Sequence, residues 1–160
     1  MSEITSAQYF GPYANHPDVT AEIRYHAVGL LDVVNDLLEQ AAADGVDFQT
    51  NPHTGCSVSG NGHGGFRPRD CTVGADNSQH KNGRAVDVYD PARQFASWCL
   101  AHPTELTKRG LHMEDPRWTP SWVHLQDVPP NSGRLVFIPS MSPALAKAPP
   151  VWGTTGGTVA

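Results

Sequence analysis

The chain has no apolar run approaching the ~18–20 residues of a membrane-spanning helix, so no helical span is expected. It also lacks a surplus of basic charge. Its 11 Lys and Arg against 16 Asp and Glu leave −5 with His neutral, which argues against a partner bound through a nucleic-acid backbone. The first residues, MSEITSAQYFGPYANHPD, show no basic start followed by an apolar stretch. No classical secretory signal is expected, and delivery to the outside would need another route. Cysteine is scarce: Cys56, Cys71 and Cys99 form no Cys-x-x-Cys pair and leave an odd count. Nothing calls for an oxidising compartment, so three free thiols are expected, with a Cys56–Cys71 bridge across a glycine-rich loop as the alternative.

What is plentiful is glycine and proline, 15 and 14 of 160 residues, beside a charged content of only 17%. That balance suits one loop-rich domain rather than a helical bundle. Residues 1–17 read as an irregular arm. From Asp18 onward, Ile23, Ala27, Leu30, Val34, Leu37 and Ala41 recur at three- and four-residue steps, which predicts an amphipathic core helix. Asp18 or Thr20 can cap its start, and Gly45 stops it.

Residues 46–79 return to Gly and Asn so often that no helix is expected there, and at most a short strand near 56–59. A run of this length without elements is more often functional than accidental. Ala85–Tyr89 alternates and is predicted as a central strand. Residues 91–102 read as a short helix with Pro91 at its first position. The stretches GLHME, SWVHLQ and RLVFIP read as three further strands, and residues 141–160 as a flexible Pro/Gly-rich tail. The expected fold is α+β: a small antiparallel sheet flanked by the long N-terminal helix and a shorter one.

The chemistry concentrates in SQHKNGRAVDVYD, residues 78–90. His80 and Asp87 are seven apart, but Asn82-Gly83 forbids a comfortable helix between them. The expected geometry is a histidine at a loop end, a tight turn, and an aspartate on the returning strand. Such a turn brings an imidazole and a carboxylate to one zinc ion at about 2.0–2.2 Å, and His124, in an otherwise apolar strand, is the candidate third ligand.

As a whole, Ser78-x-His80-x-x-Gly83-x-Ala85-x-Asp87, followed by Trp122-x-His124, resembles the LAS-type zinc metallopeptidases. These comprise D-Ala-D-Ala carboxypeptidases and dipeptidases, phage endolysins cutting L-Ala-D-Glu bonds, and the amino-terminal domain of Hedgehog. GGFRP, residues 64–68, is similar to the Gly-Tyr-Arg segment that precedes the first ligand in that family. The resemblance covers roughly residues 20–140 and implies a Hedgehog-like zinc domain over 18–140, with one Zn2+ held by His80, Asp87 and His124. It also implies Arg67 as the cation facing a developing oxyanion, and Ser78 and Trp122 in contact with substrate or its surroundings. His53, His63 and His112 are expected to stand outside the site.

The departure is the catalytic acid. Most family members carry Glu or Asp three residues before the last histidine, where this chain has Ser121, whose hydroxyl has no pKa suited to proton shuttling. If GLHME and SWVHLQ pair antiparallel, Glu114 lies near the hairpin end and is the expected base, with Asp115 second. Hedgehog-type members place their acid further from the histidine, which makes such a displacement acceptable. The implied function is hydrolysis of a peptidoglycan stem-peptide bond by a phage or prophage protein, held in the host cytoplasm until lysis or carried on a particle. Its partners would be the stem peptide and, through the termini, particle proteins. The alternative is an inactive wall-binding or virion structural module that retains the zinc site.

Overall fold

A computed structural model describes residues 3–139, and the tail reading for 141–160 lies outside the described residues. Helix α1, Ser6–Phe10, opens on a reciprocal cap in which Thr5 and Gln8 exchange side-chain and backbone hydrogen bonds. Thr-x-x-Gln is the sequence signature of such a box. The arm reading for 1–17 therefore needs correction. Ile4, Tyr9 and Phe10 are buried in the same core as the rest of the chain, and the Tyr9 hydroxyl donates to the Ala85 carbonyl at 2.9 Å.

Helix α2, Ala21–Ala43, follows the expected stripe, with Thr20 rather than Asp18 capping its start through the Ile23 N–H. Gly45 N–H to Ala42 O and Val46 N–H to Ala41 O close its end. No helix of the described residues is long and apolar enough to cross a membrane.

Residues 46–78 contain no helix, as the composition predicts, and Val58 alone bridges to a strand. A 3-10 turn, Gln79–Asn82, leads into β1, Ala85–Tyr89. Helix α3 spans Gln94–Ala101 rather than starting at Pro91. The Asp90 carboxylate accepts the Phe95 and Ala96 N–H groups at 3.1 and 2.8 Å, which sets the first turn further along the chain. Helix α4, Pro103–Thr107, was not expected; its Pro103 stands at the helix start. Strands β2, His112–Glu114, β3, Trp122–Gln126, and β4, Val136–Phe137, complete a four-stranded sheet ordered β1-β3-β2-β4.

Two sheet expectations change. β1 is an edge strand and β3 lies inside, although the glycine-rich segment runs along the outer side of β1: Ser59 N–H and Tyr89 N–H bond Asp87 O and Ser57 O, both at 2.8 Å. The sheet is also mixed, because β4 runs parallel to β2. The chain leaving β3 finds both neighbouring edges taken by β1 and β2. It reverses through 127–135 and reaches the far side of β2, which makes the last pair parallel.

Alternation divides the sheet into two faces. Val86, Val88, Met113, Val123 and Leu125 join the core with α1 and α2. Asp87, Glu114, Trp122, His124 and Gln126 lie on the opposite face.

A candidate metal centre

Cross-strand pairing builds the site. Asp87 and His124 are direct partners in the antiparallel β1–β3 ladder, so their side chains leave the same face side by side. His112 pairs with Gln126 and Met113 with Leu125 across β2–β3. One further step of that register sets Glu114 opposite His124. His80 arrives from the 3-10 turn, whose start is capped by Ser78 Oγ accepting the His80 N–H at 3.3 Å. Gly83 ends that turn at φ +71°, against Ile23 O, which lies 2.7 Å from where a Cβ would sit. The tight Asn-Gly turn read from the sequence is present.

The three side chains converge. His80 Nε2 lies 3.2 Å from Asp87 Oδ1 and 3.2 Å from His124 Nδ1, and His124 Nδ1 lies 2.8 Å from Asp87 Oδ1. All three residues are buried, and together they could hold one metal ion. Two of the three separations match the spacing of about 3.3 Å that a tetrahedral ion with bonds of about 2.0–2.1 Å keeps between its ligand atoms, and the Asp87–His124 separation of 2.8 Å is shorter. The donor set fits too: imidazole and carboxylate suit zinc and neighbouring transition metals.

His80 is oriented by the Gly65 carbonyl, 2.7 Å from Nδ1. A carbonyl only accepts, so Nδ1 carries the proton and Nε2 presents its lone pair. Gly65 can approach only because it has no side chain: a Cβ there would run into the Tyr9 backbone carbonyl.

Arg67 is buried and holds its guanidinium against the group. Its Nη2 donates to Asp87 Oδ2 at 3.0 Å, Nε to His63 O at 2.6 Å, and Nη1 to Val73 O at 3.3 Å. It does not pair with Asp70 as an ordinary surface arginine would. Asp87 thus offers Oδ1 to the metal position and Oδ2 to Arg67. Trp122 is half-buried at the start of β3, beside its strand partner Tyr89 on the site face.

Burial and charge set the protonation preferences. Burial pushes His80 down from its usual range, outweighing the attraction of Asp87. For His124, burial acts the same way but is overcome by the Asp87 hydrogen bond and charge, with Glu114 and Gln126 adding, so it is raised. Burial also opposes ionisation of Asp87, yet the two histidines hold its carboxyl well below the ordinary carboxylate value. Glu114 is pushed up from 4.5 to about 7, first by burial, then by the Asp87 and Asp115 charges, against opposing pulls from His124 and Arg67.

The other candidate acids are spent elsewhere. Asp115, the second-choice base, is buried under its own turn, accepting from Arg117 Nη2 at 2.7 Å and from the Arg117 backbone N–H at 2.9 Å. Asp127 pairs with Arg84 at 2.8 Å. Ser121 is exposed, and its carbonyl accepts the Asp90 N–H. His53, His63 and His112 stand outside the metal group, as expected: His63 Nε2 meets the Tyr13 hydroxyl and His112 Nδ1 the Arg134 carbonyl. All three cysteines are free.

Sequence reasoning passed over Gln126, whose Oε1 lies 3.1 Å from His124 Nε2. Its one available signal was position, two residues after the histidine on the same strand face. A second convergent group, His16, Asp18 and Asp70, lies nearer the surface. There His16 Nδ1 accepts the Asp18 N–H and Asp18 Oδ2 the Arg69 N–H. A recess lined by Phe48, Gln49, Thr50 and Cys56 shares no residue with the metal group.

No protein-family model matches the chain, and neither the curated proteins nor the solved structures contain a match.

Proposed function

We propose that the chain is a zinc-dependent peptidase of peptidoglycan stem peptides, with a D-Ala-D-Ala metallopeptidase or Hedgehog-like domain, encoded by a phage or prophage. The observation that carries this reading is the convergence of His80 Nε2, Asp87 Oδ1 and His124 Nδ1, with Glu114 one strand away opposite His124. The substrate class comes from the resemblance of the ligand motif to LAS-type enzymes, either D,D-carboxypeptidases or L-Ala-D-Glu endopeptidases.

Zinc, when bound, would supply a Lewis acid for the scissile carbonyl and for water. Glu114, with a carboxyl near neutrality, would take the proton of the attacking water and return it to the leaving amine. Arg67 would hold Asp87 in place through Oδ2, and with two of its five N–H donors uncommitted it could still reach toward the carbonyl oxygen. Ser78 would position His80, and Trp122 would line the approach of the peptide beside Tyr89. The protein would meet its substrate after host lysis or as part of a particle.

A second reading has one observation in its favour: Ser121 stands where the family's acid is expected. On that reading the domain binds the wall or a particle and keeps the metal for stability.

Zinc-loaded protein incubated with purified peptidoglycan separates the two. New amine and carboxyl ends are expected, lost on chelation and restored by zinc, with Glu114→Gln lowering the rate by about 10²–10⁴-fold. No new ends from zinc-loaded protein would leave the binding module. Undiminished cleavage after exhaustive chelation would overturn the metallopeptidase reading.

A further inference from the structure

The geometry points to Gln126 as the residue that decides which nitrogen of His124 faces the metal. The chain of constraint starts at the Val128 carbonyl, which accepts from Gln126 Nε2 at 2.6 Å. A backbone carbonyl cannot donate, so the amide nitrogen must face it and Oε1 must turn the other way. Oε1 then stands 3.1 Å from His124 Nε2. Two acceptors cannot share a bond without a proton between them, so Nε2 carries the hydrogen. Nδ1 is left as the ligand nitrogen, 2.8 Å from Asp87 Oδ1 and 3.2 Å from His80 Nε2.

The competing arrangement is specific. Asp87 Oδ1 is itself an acceptor beside Nδ1, and a charged acceptor attracts a proton more strongly than a neutral one. Without Gln126, a neutral His124 would settle with its proton on Nδ1, inside the metal position, and its lone pair on Nε2, facing away. Gln126 makes that state costly by setting its own oxygen against the bare Nε2, in a pocket where Gln126 is 6% exposed. The two histidines are therefore fixed in opposite senses. His80 is held through Nδ1 by a backbone carbonyl and binds through Nε2, while His124 is held through Nε2 by a side chain and binds through Nδ1. Because the second lock is a side chain, a single substitution can remove it.

This assignment rests on the triad holding a metal and not on the peptidase reading. The test is zinc affinity by competition with a chromophoric chelator, together with nitrogen-15 NMR of the histidine rings. In the zinc-loaded wild type, His124 is expected to show a protonated Nε2 and His80 a protonated Nδ1. Gln126→Met, which keeps length but loses the acceptor, is expected to bind zinc about 10–100-fold more weakly. Chelated Gln126→Met should also shift the neutral His124 toward Nδ1–H. A wild-type His124 that binds through Nε2, or a Gln126→Met protein with undiminished affinity, overturns the assignment. The wild-type spectrum decides even if a variant fails to fold. Zinc binding with the predicted tautomers but without peptidase activity would count against the proposed function and leave the role of Gln126 standing.

Discussion

At the scale of single residues, Glu114 has the most direct electrostatic consequence. Its carboxyl titrates at about 7 in the folded chain against an ordinary 4.5. Between those values the folded protein holds a proton that the unfolded chain has released. The contribution to stability is therefore fully present below about pH 4.5, falls as pH rises toward 7, and stays lost above it. The side chain is half-buried and solvent screens part of the effect, which leaves about 2 kcal/mol of the roughly 3 that the shift implies. In chelated protein, Glu114→Gln should thus match the wild type near pH 4.5 and exceed it by about 2 kcal/mol at pH 8. Urea unfolding at the two pH values measures the difference, and equal stabilities at pH 8 would mean that Glu114 ionises freely. This residue was legible as the acid at the end of an expected antiparallel pair. Its placement opposite His124 depends on a strand register that spacing alone does not specify. His80 and Asp87 were legible because an Asn-Gly turn between a histidine and an alternating strand leaves few geometries. Gln126 was not, since at its position any polar residue satisfies the alternation.

At the scale of elements, the glycine-rich segment is a backbone instrument rather than a slack loop. Its carbonyls and amides run along β1, and Gly65 carries two tasks: contact with the Tyr9 backbone and acceptance of the His80 Nδ1 proton. Gly65→Ala cannot be absorbed by rotating a side chain, because the obstacle is the Tyr9 main chain. The Gly65 carbonyl should be driven off His80, which costs a buried hydrogen bond of about 1–3 kcal/mol and loosens the ligand. The expected outcome is a thermal unfolding midpoint several degrees lower in the chelated protein and zinc affinity reduced about tenfold or more. An unchanged midpoint and affinity would show that the segment adjusts freely. Composition revealed that 46–79 would be irregular, and periodicity revealed α2 and the strands. Neither revealed that α3 would start late, since that depends on the Asp90 carboxylate reaching two amides, nor that β4 would be parallel, since that depends on which sheet edges remain open.

At the scale of the whole molecule, the His80–Asp87–His124 group, the sheet and the N-terminal residues form one structure. His80 is oriented by Gly65, the next residue Phe66 donates its N–H to Tyr9 O at 3.1 Å, and Tyr9 reaches back to Ala85 at the start of β1. The sequence suggested a boundary at residue 18, because an aromatic, Pro- and Gly-containing stretch before a long helix looks like an arm. Burial of Ile4, Tyr9 and Phe10 removes that boundary. Two outcomes follow from this coupling. If the proposed zinc binds, zinc at about 100 times its dissociation constant should add about 2.7 kcal/mol, which for a chain of this size would raise the unfolding midpoint by roughly 5–10 °C. A chain starting at residue 18 loses three buried side chains, worth about 1.5–3 kcal/mol each, and with them the carbonyl that seats Phe66 behind the first ligand. Calorimetry with and without zinc tests both together. The full chain should show one transition that zinc moves, and the shortened chain a broadened or absent transition with little response to zinc. A shortened chain that unfolds sharply and responds to zinc as the full chain does would restore the boundary at 18 and make residues 1–17 an appendage after all.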